Sequence, residues 1–314
     1  MKILFLDKIH PDLKYNLTQQ GIVCEEKITE NKNQILKIIN EFNGIIIRSR
    51  FKIDKNFIRK ASHLKFIARF GSGMENIDVL EAKKHKIKCI NAPKGNSNAV
   101  GEHTLGLLLS LMNNIQPSSL EVKNGQWKRE ENRGTELSKK TIGIIGYGNA
   151  GQAFSKKLIG FNCKILAYDK YKKKYQNKFV KKSSLKNIFK YSDVLSLHIP
   201  LNKETENLIN NDFINKFSKN IFFLNTSRGK IVNTDDLITN IKSGKIIGAG
   251  LDVLEHENKN FEKLDSTKNV TLEFLKKCPK VILTPHIAGW SFESNKLMCK
   301  ILTKKILSHL KSIK

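Results

Sequence analysis

Arginine is scarce in this chain: it makes up seven of the 56 basic residues, the remainder being lysine. The formal charge of +27 would suit a polyanionic partner. The lysines, however, are spread over the whole length beside many Asn and Ile residues, so the charge reads as a lysine bias and no nucleic-acid partner is expected. Diffuse positive charge should still draw in anionic substrates and cofactors in a salt-sensitive way. Cysteine is thin as well. Cys24, Cys89, Cys163, Cys278 and Cys299 are odd in number and lack C-x-x-C spacing, which points to small buried hydrophobes in a reducing compartment, without a disulfide framework or a metal site. No segment approaches the roughly 18 apolar residues of a membrane span. The opening MKILFLDKIHPD has only four apolar residues in a row before Asp7, too few for a signal-peptide core. The expectation is a soluble cytoplasmic protein with no membrane partner and no internal repeat.

What is present is a long alternation of short apolar runs and helical patterns. With 314 residues, 39% of them hydrophobic, the chain can form two domains with full cores. Strands are expected at Ile3–Leu6, Ile22–Glu25, Gly44–Arg48, Leu64–Arg69 and Ile87–Asn91, with helices over Pro11–Gln20 and Asn33–Phe42. A second set comes at Thr141–Ile145, Lys164–Tyr168, Asp193–Ile199, Ile221–Asn225, Ile246–Asp252 and Val281–Thr284. Strands separated by helices imply parallel sheets covered on both faces. The fold class is therefore α/β, with two doubly wound parallel-sheet domains. Asn91-Ala92-Pro93 marks the crossing between them. Asn98–Leu111, apolar around most of its surface, is expected to pack between domains or against a second subunit, with His103 as a core or interface histidine.

The centre of the chain is KKTIGIIGYGNAGQAFSKKLIGFNCKILAYD, Lys139 to Asp169. Gly146, Gly148 and Gly151 stand at G-x-G-x-x-G spacing between a strand and a helix. Gly146 suits the sharp turn, Gly148 the approach of a pyrophosphate, and Gly151 close packing of helix on sheet, with the helix N-terminus facing the phosphates. Asp169 ends the next strand, 18 residues beyond Gly151, where a carboxylate can accept both ribose hydroxyls of an adenosine and repel a 2′-phosphate. NAD is therefore expected over NADP. Lys170 and Lys172–Lys174 come directly after it; they could hold a 2′-phosphate or form a solvated loop.

Several strand ends carry polar residues. Gly71, Ser72 and Gly73 form a loop whose backbone N–H groups can nest a carboxylate, or simply start a helix. Arg48 and Arg50 are either an anion clamp or surface charge. Arg228, in a turn ending at Gly229, could hold a carboxylate in bidentate fashion, and His286 after Pro285 is placed as a general base. Glu257 is within reach to fix its tautomer. Each has an ordinary alternative, as an ion pair, a structural histidine or an exposed acid. Together with a dinucleotide site they describe hydride transfer at a hydroxy acid.

GIIGYGNAG, SLHIP, NTSRG, LDVLEHE and TPHIAG, with NAPKGNSNAVGEHTLGLLL before them, occur in the order and approximate spacing of the D-isomer-specific 2-hydroxyacid dehydrogenases, which the chain resembles over nearly its whole length. RSR, ARFGSGMENID and NAPKGNS are most similar to the D-3-phosphoglycerate dehydrogenases of that family. The resemblance implies a flavodoxin-like substrate domain from 1–93 with 289–314, and a Rossmann NAD-binding domain over 94–288. It implies that Arg228 binds the substrate carboxylate, that His286 takes the hydroxyl proton and that Glu257 pairs with His286. Arg48 and Arg50 would contact a substrate phosphate, and Gly71, Ser72 and Gly73 the substrate. NAD would be lined by Ser72, Thr104, Gly146, Gly148, Asn149, Ala150, Asp169, His198, Ile199, Thr226, Ser227, Asp252 and Gly289, with Asp252 on the carboxamide. The resemblance further implies a small-molecule 2-hydroxy or 2-keto acid substrate, closure of the domains against water, and a homodimer or higher homo-oligomer built on the long helix. The same fold also serves in NAD-sensing corepressors; the complete Arg228, Glu257 and His286 set favours an enzyme. Asn258 stands where the family usually has proline after the catalytic Glu, and Ala150 where a larger apolar residue is common. The chain ends about thirty residues after His286, so serine feedback through a C-terminal regulatory domain is not expected.

Overall fold

The computed structural model describes residues 1–257 and 270–313; the departure that begins at Asn258 lies outside them. The chain divides into two compact units, one of Met1–Asn96 with residues 290–313 and the other of residues 97–257 with 270–289.

The first unit holds β1 (Lys2–Phe5), β2 (Val23–Glu26), β3 (Gly44–Ile47), β4 (Phe66–Arg69) and β5 (Lys88–Asn91), in the parallel order β2-β1-β3-β4-β5. Alternate side chains of each strand enter opposite faces. Ile3, Phe5, Ile46 and Phe66 pack on one side with Met298, Leu302 and Ile306 of the helix Phe292–Ser312. Leu4, Ile45, Ile47 and Ile67 pack on the other with Ile35, Phe57 and Ile58. That double burial is why β3 reads as an unbroken apolar run. The helix expected over Asn33–Phe42 runs as an α-helix over Lys32–Ile38 and tightens to a 3-10 turn at Ile39–Glu41, which delivers the fully buried Phe42 to the core just before β3.

The second unit holds β6 (Thr141–Ile145), β7 (Lys164–Tyr168), β8 (Val180–Lys182), β9 (Val194–Leu197), β10 (Ile221–Asn225), β11 (Ile246–Leu251) and β12 (Val281–Leu283). All are parallel, in the order β12-β11-β10-β9-β6-β7-β8. The winding reverses between β6 and β9, the position where open α/β sheets bind ligands. The ends of β9, β10, β11 and β12 lie side by side on that same edge. β8 is not foreseen from the sequence: it is a three-residue edge strand with only Val180 buried and two exposed lysines, a composition that protects an edge but leaves no apolar run to read.

The apolar helix spans Ser97–Met112, and one face of it packs within its own unit. Leu107 and Leu111 press on Gly250 of β11, where an added Cβ would meet them at 3.1 and 3.3 Å, and Gly101 faces the backbone of Ala153 and Phe154 at 2.8 to 2.9 Å. Among the described residues no helix is long and apolar enough to cross a membrane. Gly101→Val is expected to destabilise the protein by about 1–3 kcal/mol, because the helix Asn149–Lys157 has no room to retreat from the new methyl groups; urea unfolding measures it.

Candidate active site

At the reversal point the loops after β6 and β9 touch. Gly146, at φ +92°, donates its N–H to the Tyr168 carbonyl at 2.8 Å, while the His198 N–H reaches the Ile145 carbonyl at 2.8 Å. A Cβ on Gly146 would lie 2.3 Å from the His198 carbonyl oxygen and 2.8 Å from Ile199, and one on Gly151 would lie 2.1 Å from the Gly146 oxygen. Neither position tolerates a side chain. Gly148 differs: a Cβ there would meet nothing within 4 Å, and with Asn149 it is exposed, Ala150 less so, at the start of the helix. This is a bare backbone surface with helix N–H groups behind it, which suits a pyrophosphate. Asp169 ends β7 with its Oδ2 accepting from Tyr147 N at 2.8 Å and its Oδ1 from Tyr171 N at 3.0 Å and Lys172 N at 2.8 Å. The residues present therefore fit a dinucleotide.

His198 turns its ring inward against Phe154, with centroids 5.5 Å apart, and its Nε2 meets Ser196 Oγ at 2.9 Å. Burial pushes its pKa down to about 3. Its side chain is a neutral prop behind the Gly146 turn, so any contact of residue 198 with a cofactor falls to its backbone.

After β10, Asn225 builds the arginine turn. Its Oδ1 accepts from Ser227 N at 3.1 Å and Ser227 Oγ at 2.7 Å, and its Nδ2 donates to the Arg228 carbonyl at 3.0 Å. The Arg228 guanidinium donates to the Ser227 carbonyl at 2.6 Å. Thr226 is braced by Thr104, whose fully buried hydroxyl meets the Thr226 hydroxyl at 2.9 Å and donates to Val100 O at 2.6 Å. Thr104 thus supports the Thr226 loop from behind. Gly229 lets this turn lie on the loop after β11, since a Cβ there would sit 1.9 Å from the Leu254 oxygen.

That second loop carries the acid. Glu257 is tied to Leu254, whose N–H it accepts, and its Oε2 lies 2.6 Å from His286 Nδ1. The pairing puts the imidazole proton on Nδ1 and makes Nε2 the acceptor nitrogen. His286 sits at φ +55°, a left-handed conformation that is uncommon outside glycine and marks a constrained site. The constraint comes from Asp252, at the end of β11. Its backbone carbonyl accepts from His286 N at 2.8 Å. Its carboxylate accepts from Thr284 Oγ1 at 2.6 Å, Ile287 N at 2.9 Å and Ala288 N at 2.8 Å, just before the turn at Gly289. Burial still raises the pKa of this carboxyl, with the Thr284 bond opposing. His103 adds an outer layer missed by sequence reading: its Nε2 lies 3.0 Å from Thr284 Oγ1 and 3.5 Å from the Asp252 carboxylate. Because Thr284 donates to Asp252, its oxygen accepts from His103, which places the His103 proton on Nε2.

The first unit has its own reversal point, between β1 and β3. Arg48 N donates to Asp7 Oδ2 at 2.6 Å there, and the Arg48 guanidinium lies 4.9 Å from the Trp290 ring centroid. Arg50 is turned inward. It donates to the carbonyls of Leu6 at 2.8 Å and Lys27 at 2.6 Å, and to that of Glu30. In this arrangement it is a strut between loops. Ser72 donates to Asn96 Oδ1 at 2.5 Å, and its carbonyl accepts from Asn91 at 2.6 Å. Gly71 lies against Arg69, since a Cβ there would coincide with the guanidinium at 1.6 Å; Gly73 continues the loop. Arg69, only 8% exposed, has no signal in the sequence beyond ending an apolar strand.

Known proteins resemble this chain in sequence and in fold. The profile of the D-isomer specific 2-hydroxyacid dehydrogenase NAD binding domain matches residues 105–288. The hydroxypyruvate reductase of Thermotoga maritima is 35% identical over 308 residues, 97% of this chain and 96% of that one. The D-3-phosphoglycerate dehydrogenase of Archaeoglobus fulgidus is 31% identical over all of this chain, which spans 58% of its length. The crystal structure of Aquifex aeolicus D-lactate dehydrogenase with NAD and lactic acid superposes with a TM-score of 0.87 at 28% identity, covering 99% of this chain and 96% of that one.

The buried imidazole predicts a pH dependence. In the unfolded chain His198 takes up a proton as the pH falls through its ordinary 6.5, whereas in the folded protein it resists until about 3. Folding stability is thus fully present above 6.5 and declines as the pH falls toward 3. Between neutrality and pH 5 the loss should be about 2 kcal/mol, and His198→Gln should flatten that slope in denaturant titrations.

Proposed function

Since the chain belongs to the D-isomer-specific 2-hydroxyacid dehydrogenases, we propose that it oxidises D-3-phosphoglycerate to 3-phosphohydroxypyruvate with NAD, the step that opens serine synthesis. NAD supplies the acceptor for the hydride that leaves the substrate C2. The protein supplies the rest. The carboxylate end of the substrate is held by the Arg228 fork. The C2 hydroxyl gives its proton to His286 Nε2, while Glu257 keeps the opposite nitrogen protonated and steadies the resulting imidazolium. The Gly148–Asn149 backbone takes the pyrophosphate, and Asp169 the ribose. Asp252 holds the His286 turn.

The observation that supports a phosphorylated substrate is a cation, Arg48, at the carboxyl end of β3, beside the reversal point of the first unit. The second reading, a reductase for hydroxypyruvate or glyoxylate, draws on Arg50, whose guanidinium is committed to carbonyl oxygens. It also agrees with the likeness to the Thermotoga enzyme.

A panel of 2-hydroxy and 2-keto acids with NAD and NADH separates the two. Arg48→Gln should lower kcat/KM for D-3-phosphoglycerate about 10- to 100-fold, the worth of one charge-assisted bond, and leave glycerate and hydroxypyruvate within about threefold. Equal losses on all substrates would remove the phosphate role. His286→Ala should reduce kcat by about 10²–10⁴; full turnover in that variant would overturn the mechanism.

A further inference from the structure

Cofactor choice in this fold turns on the residues directly after the acid at the end of the second strand of the nucleotide-binding half, here Asp169. Its carboxylate cannot swing away: three backbone N–H groups, of Tyr147, Tyr171 and Lys172, occupy most of the roughly four acceptor sites of a carboxylate. The negative charge therefore stays where an adenosine ribose is recognised. Lys170 comes next in the chain. In that place an unengaged lysine would offset the Asp169 charge and suit a 2′-phosphate.

Lys170 is engaged. Its Nζ lies 2.6 Å from Glu204 Oε2, and the same oxygen accepts from the Tyr171 hydroxyl at 3.0 Å. The contact holds the Lys170 ammonium above, and the Glu204 carboxyl below, their ordinary ranges. Glu204 is itself carried on an ordered turn after β9: its N–H donates to Asn202 Oδ1 at 2.9 Å, and Thr205 Oγ1 donates to the Pro200 carbonyl at 2.7 Å. Lys172, the other nearby cation, lies 5.7 Å from the Tyr147 ring centroid.

We propose that Glu204 is a specificity-determining residue for the cofactor: by drawing Lys170 onto the loop after β9 it denies a 2′-phosphate its cation and preserves the preference for NAD set by Asp169. Glu204 acts through Lys170 without touching the nucleotide. The pair is exposed at both ends, so its contribution to folding is small and its effect falls on selection. The proposal rests on NAD as the cofactor.

The test is isothermal titration calorimetry of the full chain with NADH and NADPH, which needs no knowledge of the substrate. Glu204→Gln should raise the ratio of NADPH to NADH affinity by up to about fivefold, the yield of one surface ion pair. Adding Lys170→Ala should return the ratio to the wild-type value. An unchanged ratio in Glu204→Gln, or a gain that survives removal of Lys170, would overturn the role of Glu204 while leaving NAD binding intact. Failure of the wild-type protein to bind NADH would instead overturn the cofactor reading, and this proposal with it.

Discussion

The placement of His286 beside Glu257 hangs on one buried carboxylate. Asp252 is about 1% exposed, and an ion in that position costs several kcal/mol unless donors surround it. Here a hydroxyl and two backbone N–H groups converge on it. All three belong to the segment that carries His286, so satisfying the buried charge and shaping the turn are the same event. The imidazole is then presented to Glu257 without any help from its own local preference.

The arginine side is organised by a different constraint, the near absence of volume at Gly229. Contact between that glycine and the Leu254 carbonyl joins the turn after β10 to the loop after β11. Arg228 and Glu257 are therefore placed by adjoining loops of neighbouring parallel strands. Asn225 completes the arrangement by closing its own turn on Arg228.

Much of this was legible in the sequence because it is local. Thr141–Ile145, Lys164–Tyr168 and Ile221–Asn225 have the limits expected of them, since a strand buried on both faces is an apolar run bounded by polar residues. The glycines and Asp169 stand at spacings dictated by a tight turn. What could not be read is direction. Arg50 looks like a partner to Arg48, yet its guanidinium reaches back to carbonyls 20 to 44 residues earlier. Thr104 and His103 sit on one apolar helix, and nothing in its pattern shows that one hydroxyl braces Thr226 while the imidazole meets Thr284. Arg69 is hidden by its position at the end of a buried strand, and β8 by having too little apolar content.

The left-handed backbone at His286 has a bearing on how this position can change over time. Two demands fall on it at once: an imidazole for the reaction, and tolerance of φ +55°. Asn and Asp share histidine's relative ease in that conformation, whereas β-branched residues do not. A β-branched replacement there would strain the loop, so valine, isoleucine or threonine at this position in a relative would mark a loop that has been rebuilt.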